Sequence, residues 1–202
     1  MIRHVLLDAD GVMQLLPGGW VSAIERHVGA GADEFFRAAS EDELACLRGE
    51  GDFLVVLAGH LEARGVTMTA EELHRAVWRS VEVHPSSVAL VHELRDAGLG
   101  VHLGTNQEGH RAAYMRTELG YDDLFDESFY SCELGAAKPE AAFFCRVLDR
   151  LGSAAPEVLF VDDNERNVDA ARECGLAAEH WHLDDGFEVL RERLAGHGLS
   201  TA

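Results

Sequence analysis

The sequence predicts an α/β fold, a parallel sheet with helices on both faces that carries an inserted lobe of helices. Two observations predict it. From His84-Pro85 onward, short apolar runs alternate with segments of helical spacing, the pattern by which a chain builds a parallel sheet covered on both sides. Between about residue 18 and residue 83 that alternation stops and helix follows helix. The expected division is therefore an α/β core from residues 1–17 and 84–202, with residues 18–83 as a helical insertion.

The first strand is the apolar run Val5-Leu6-Leu7, and Pro17-Gly18-Gly19 then breaks the pattern. Within the insertion, helices are expected near 20–28, 33–47, 52–64 and 70–81, separated by Gly29-Ala30-Gly31, Gly49-Glu50-Gly51 and Gly65. The core resumes with a helix at 87–97, a strand at 100–104, a helix at 108–119, a short strand near 128–131 and a helix at 139–151. A strand at 158–161, a helix at 165–174, a strand at 177–181 and a last helix from about Asp184 complete it.

At 202 residues and 47% hydrophobic content, the chain can bury one substantial core and is not generally disordered. A net charge of −19 argues against a nucleic-acid backbone or an anionic membrane as the main partner, because that field repels phosphates at long range. A phosphorylated substrate would need a local cation. Cys46, Cys132, Cys145 and Cys174 form no CxxC pair, so reduced thiols are expected. With no leader-like segment at the start and no apolar run of membrane-spanning length, a cytoplasmic protein is expected.

Chemistry concentrates at strand ends. Asp8-Ala9-Asp10-Gly11-Val12 closes the first strand with two carboxylates two residues apart, on one side of the sheet. Asp162-Asp163 follows Val158-Leu159-Phe160-Val161 in the same way. Such anions repel unless a cation sits between them or one is protonated. Four carboxylates at the ends of two buried strands point to one metal-dependent site, beyond the carboxyl edge of the sheet where ligands of such folds bind.

With Thr105-Asn106 and Lys138-Pro139 between them, these runs stand in the order found in haloacid-dehalogenase-superfamily hydrolases. From about residue 3 to residue 181 the chain resembles the members of that superfamily whose helical cap is inserted after the first strand. The resemblance implies a Rossmann-like core and a Mg²⁺-dependent phosphomonoester hydrolase. It would act on a small phosphorylated metabolite, such as a sugar phosphate, through an aspartyl-phosphate. A carboxylate is a competent nucleophile toward phosphorus once the phosphoryl oxygens are neutralised.

On this resemblance Asp8 is the nucleophile. Asp10 is the general acid and base, a role favoured by a pKa near the operating pH. Thr105 and Asn106 offer neutral donors to phosphate, although the same residues could simply cap the following helix. Lys138 would balance the nucleophile and hold phosphate, with Pro139 in the first turn of a helix. The resemblance gives Mg²⁺ the Asp8 and Asp163 carboxylates and the Asp10 carbonyl, with Asp162 acting through water or Lys138. The residue types alone leave open which of Asp162 and Asp163 is direct.

A phosphomutase would keep all these motifs. A haloacid dehalogenase would not need Asp10 or Asp162-Asp163, and a ligand-binding module with vestigial chemistry would need none. His180-Trp181-His182 lacks a third nitrogen ligand nearby and reads as surface or core histidines. Arg48-Gly49-Glu50-Gly51 reads as an interhelical turn with solvated charges rather than a substrate loop. Nothing in the sequence sets monomer or homodimer.

Overall fold

Seven strands and eleven α-helices are present in the computed structural model, which describes residues 1–199. The strands are β1 (His4–Leu7), β2 (Gln14–Leu15), β3 (Glu82–Val83), β4 (Gly100–Thr105), β5 (Glu127–Tyr130), β6 (Val158–Asp162) and β7 (Ala177–His180). Five of them form a parallel sheet of order β5-β4-β1-β6-β7. The central β1 pairs Leu7 with Leu103 of β4 and with Val161 of β6. That register sets Asp8 level with Gly104 and Asp162, and the Asp8 N–H donates to the Val161 carbonyl at 3.0 Å.

Alternation along β1 divides the core. Val5 and Leu7 join one buried cluster with Val101, Leu103, Leu159 and Val161, while Leu6 joins the other with Phe129, Phe144 and Phe160. The first face is covered by α5 (Pro85–Asp96), α6 (Gly109–Thr117) and α11 (Phe187–Gly196), and the second by α9 (Ala141–Leu151) and α10 (Glu165–Glu173). Two single-turn helices, α7 (Tyr121–Leu124) and α8 (Ser131–Leu134), flank β5.

The inserted helices are α1 (Trp20–Val28), α2 (Ala32–Glu43), α3 (Phe53–Ala63) and α4 (Ala70–Val77). They bury a cluster of their own, with Ile24, Phe35, Phe53, Leu57, Leu73 and Val77 at its centre. A capping box between Thr69 and Glu72 starts α4, and Asp52 caps α3. The chain leaves and re-enters the core through β2 and β3, which pair antiparallel. Two-residue strands carry no readable period, so sequence patterning does not anticipate them.

Two further details differ from the expected elements. A 3-10 turn at Cys46–Arg48 ends the segment expected to be helical from 33 to 47. Pro139 lies outside α9, which starts at Ala141. The Asn106 side chain explains this locally, because it bonds both the N–H and the C=O of Lys138 at 2.8 Å and holds that stretch out of a helix.

The inserted lobe is seated on the core through polar contacts. His74 of α4 and Glu108, the residue capping α6, meet at 2.8 Å, each side chain only 1% exposed. Asp52 meets His110 at 2.8 Å, and Arg48 pairs with Glu140. Gly49, at φ +79°, packs so closely that any side chain there would overlap the Cys132 carbonyl oxygen. Arg48-Gly49 is thus a seam between lobe and core. His74→Ala should deprive buried Glu108 of a partner and lower unfolding stability by about 1–3 kcal/mol, measured by urea denaturation at pH 7.

Candidate active site

The motif residues expected at the site lie at the carboxyl edge of β1, β4 or β6 or just after it, except Lys138, which comes from the stretch between α8 and α9. Carboxylate oxygens of Asp8, Asp162 and Asp163 lie within 4.8 Å of one another. The Lys138 ammonium sits among them, 2.8 Å from Asp8, 2.6 Å from Asp162 and 2.9 Å from the Gly104 carbonyl. Burial would lower the lysine's pKa, but Asp162 and Asp8 more than offset it and hold the amine protonated. Burial and the neighbouring Asp162 push Asp8 up, against the pull of Lys138. Burial and Asp162 push Asp163 up as well.

Three carboxylates against one ammonium leave an excess of two negative charges when all are ionised. A divalent ion with oxygen ligands matches both that charge and that donor set, so the residues fit Mg²⁺. Asp162 and Asp163 are not equivalent. Both oxygens of fully buried Asp162 already accept hydrogen bonds, from Lys138, the Asn164 N–H and the Asn167 amide. Asp163 is less buried and faces the cleft. Gly11, at φ +79°, makes room for it, since a Cβ on Gly11 would lie 2.5 Å from the Asp163 carboxyl group.

Asp10 is held differently. Its two oxygens receive both terminal nitrogens of Arg111 at 2.7 Å, with the Gln14 and Gln107 amides at 3.0 and 3.2 Å. Burial alone would raise its pKa, but Arg111 and the amides hold it below the usual carboxylate range. In this arrangement Asp10 is therefore an ionised carboxylate, not a group titrating near neutrality. The buried Thr105 hydroxyl accepts from the Gln107 amide at 2.9 Å. The Asn106 side chain is fully engaged with the Lys138 backbone, so it braces the lysine instead of presenting its amide to phosphate. His180 contacts the Asp163 carbonyl at 2.8 Å, and His182 lines the cleft beside Asp163.

The description of haloacid dehalogenase-like hydrolases matches residues 2–175. The chain belongs to that family. A sesquiterpene phosphatase of Aspergillus oryzae is 37% identical over 105 residues, which is 52% of each chain, so this chain spans about half the length of that relative. A phosphoglycolate phosphatase of Yersinia pestis is 30% identical over 184 residues, covering 86% of this chain and 78% of the relative. A family enzyme of Bacteroides thetaiotaomicron, solved with magnesium and inorganic phosphate, superposes with a TM-score of 0.76 at 22% identity, over 89% of this chain and 94% of that one. That likeness is one of fold. Among the described residues no helix is long and apolar enough to cross a membrane.

Several residues of this family member's site were not legible in the motifs. Arg111 stands one helical turn after Gln107, and only the fold brings it beneath Asp10. Its guanidinium also donates to the Trp78 carbonyl at 3.0 Å and lies 5.0 Å from the Trp20 ring centre, touching both ends of the inserted lobe. Glu43 of α2 reaches the same region. Burial and the nearby Glu108 push its carboxyl up to about 8, with Arg111 opposing. An acid raised in the folded state holds its proton more tightly there than in the unfolded chain, so this group lowers stability as pH climbs from 4.5 toward about 8. Glu43→Gln should raise Tm by about 2–4 °C at pH 8 and change it little at pH 4.5, read by calorimetry.

Proposed function

We propose that the protein is a Mg²⁺-dependent phosphomonoester hydrolase that works through an aspartyl-phosphate on Asp8, acting on a small phosphorylated metabolite. The observation that carries this reading is the Asp8–Lys138–Asp162–Asp163 cluster at the sheet edge, with its excess of negative charge. Two relatives named as phosphatases support it, as does the fold shared with an enzyme solved with magnesium and phosphate.

Asp8, level with the ends of the neighbouring strands, presents a carboxylate oxygen to phosphorus, while its other contacts fix its direction. Oδ1 accepts from the Ala9 N–H at 2.7 Å and from Lys138. Lys138, locked by Asp162, Gly104 and the Asn106 brace, offers a fixed positive charge to the phosphoryl oxygens. Asp8, Asp163 and the Asp10 carbonyl would hold Mg²⁺, with Asp162 acting through Lys138. When bound, the ion neutralises phosphoryl oxygens so that an anionic nucleophile can approach.

Asp10, ionised, would take the proton of the water that attacks the aspartyl-phosphate, a step that requires its bidentate pair with Arg111 to loosen. Protonating the leaving alkoxide in the first step would require the same loosening. Asp162 and Asp163 beside Asp8 favour this reading over a dehalogenase, which would use Asp8 but not need the other two.

Chelation with EDTA should abolish phosphate release, and Mg²⁺ should restore it. Asp8→Asn should lower kcat by at least about a thousandfold while keeping the fold, because an amide is a poor nucleophile. Trapping with beryllium fluoride, followed by mass spectrometry or crystallography, should place the adduct on Asp8. Full activity without metal, or an adduct on another residue, would refute the mechanism.

A further inference from the structure

We propose, resting on the phosphatase reading, that the groove leading outward from Asp10 and Asp163 past Trp20 holds the substrate's leaving group. That group is an uncharged, extended apolar chain, as in a long-chain alkyl or isoprenoid monophosphate.

The groove has two segments. The inner one, about 530 Å³, begins at Asp10, Gly11 and Asp163 and passes Leu15, Leu16 and Pro17. The outer one, about 450 Å³, runs along Val21 and Phe36. Gly18, Gly19 and Trp20 border both segments, which therefore lie side by side along the same stretch of chain. Trp20 and Phe36 stack with ring centres 6.0 Å apart and planes only 4° from parallel, which gives the outer wall a flat aromatic surface.

The charges along this path decide between kinds of leaving group. Its ionisable residues are the acids Asp10, Asp163, Asp184 and Glu25, with His182 beside Asp184. No lysine or arginine lines either segment. Arg111 is already paired with Asp10, and Lys138 with Asp8 and Asp162. Exposed Arg26 is not a lining residue of either segment, although its guanidinium lies near Gly18, 3.5 Å from where a Cβ there would be. A phosphorylated carboxylic acid would thus bring a second anion into an acidic channel with no partner for it. A sugar's hydroxyls could bond Gln14, His182 and Asp184 in the inner segment, but along the outer wall they would face Trp20, Val21 and Phe36 with only Ser22 and Glu25 as polar side chains. An apolar chain brings no second charge and gains from every methylene it buries against Trp20, Val21 and Phe36.

The test is kcat/KM for n-alkyl monophosphates from ethyl to decyl, below their aggregation concentrations, beside acetyl phosphate and phosphoglycolate. Rates should rise about threefold per added methylene until the groove is filled. Phosphoglycolate should fall at least tenfold below butyl phosphate. Trp20→Ala should flatten the chain-length dependence, and Trp20→Phe should keep most of it. In calorimetric titration with Mg²⁺ present, decylphosphonate should bind at least tenfold more tightly than methylphosphonate. A flat alkyl series or a preference for phosphoglycolate would overturn the proposal while hydrolysis of acetyl phosphate left the phosphatase reading standing. Failure to hydrolyse acetyl phosphate would sink that reading instead, and equal binding of the two phosphonates would still refute the groove assignment.

Discussion

Repulsion among Asp8, Asp162 and Asp163 is the constraint around which the rest of the structure is arranged. Three carboxylates held within 4.8 Å are unstable alone, and the parallel register of β1 against β4 and β6 offers no way to separate them. The chain relieves part of that repulsion with one buried lysine and organises its neighbours to hold that lysine. Asn106 grips the Lys138 backbone, the Gly104 carbonyl accepts from its ammonium, and Asn167 and the Asn164 N–H share Asp162 with it. The remaining two negative charges call for a divalent ion, which connects the fold to its chemistry.

Asp10 lies two residues from Asp8 yet belongs to a separate electrostatic unit. Arg111 neutralises it bidentately, and the same guanidinium touches Trp78 and Trp20, where the chain leaves and enters the inserted helices. The seating of the lobe and the orientation of the Asp10 carboxylate therefore share one side chain. His74 with Glu108, and Arg48 with Glu140, add further contacts between lobe and core.

Much of this could be read from the sequence, because strand ends and helical spacing are local signals. The positions of β1, β4, β6 and β7 along the chain and the four helices of the insertion follow from apolar period and glycine breaks. Asp8, Asp162 and Asp163 stand out as paired acids at strand ends, and Lys138 only through its place in the family's motif order. What could not be read depends on long-range placement. Arg111 lies on a helix face with nothing to mark it until that helix is laid against β1, and Glu43 is unremarkable until α2 faces the core. Asn106 reads as a phosphate donor because its amide stands at a strand end before a helix. Only its two bonds to Lys138 show that it acts as a brace. The position of Pro139 outside α9 follows from the same brace, which no local helix signal contains.

The central claim is that the charge imbalance at the sheet edge is a divalent-cation site formed by this chain's own carboxylates. Thermal unfolding of the wild-type protein and of Asp163→Ala, each titrated with MgCl₂ at constant ionic strength, tests it most directly. The account predicts that Tm of the wild-type protein rises with Mg²⁺ concentration and that the rise is lost in Asp163→Ala. A wild-type Tm indifferent to Mg²⁺, or an undiminished rise in the variant, would contradict it.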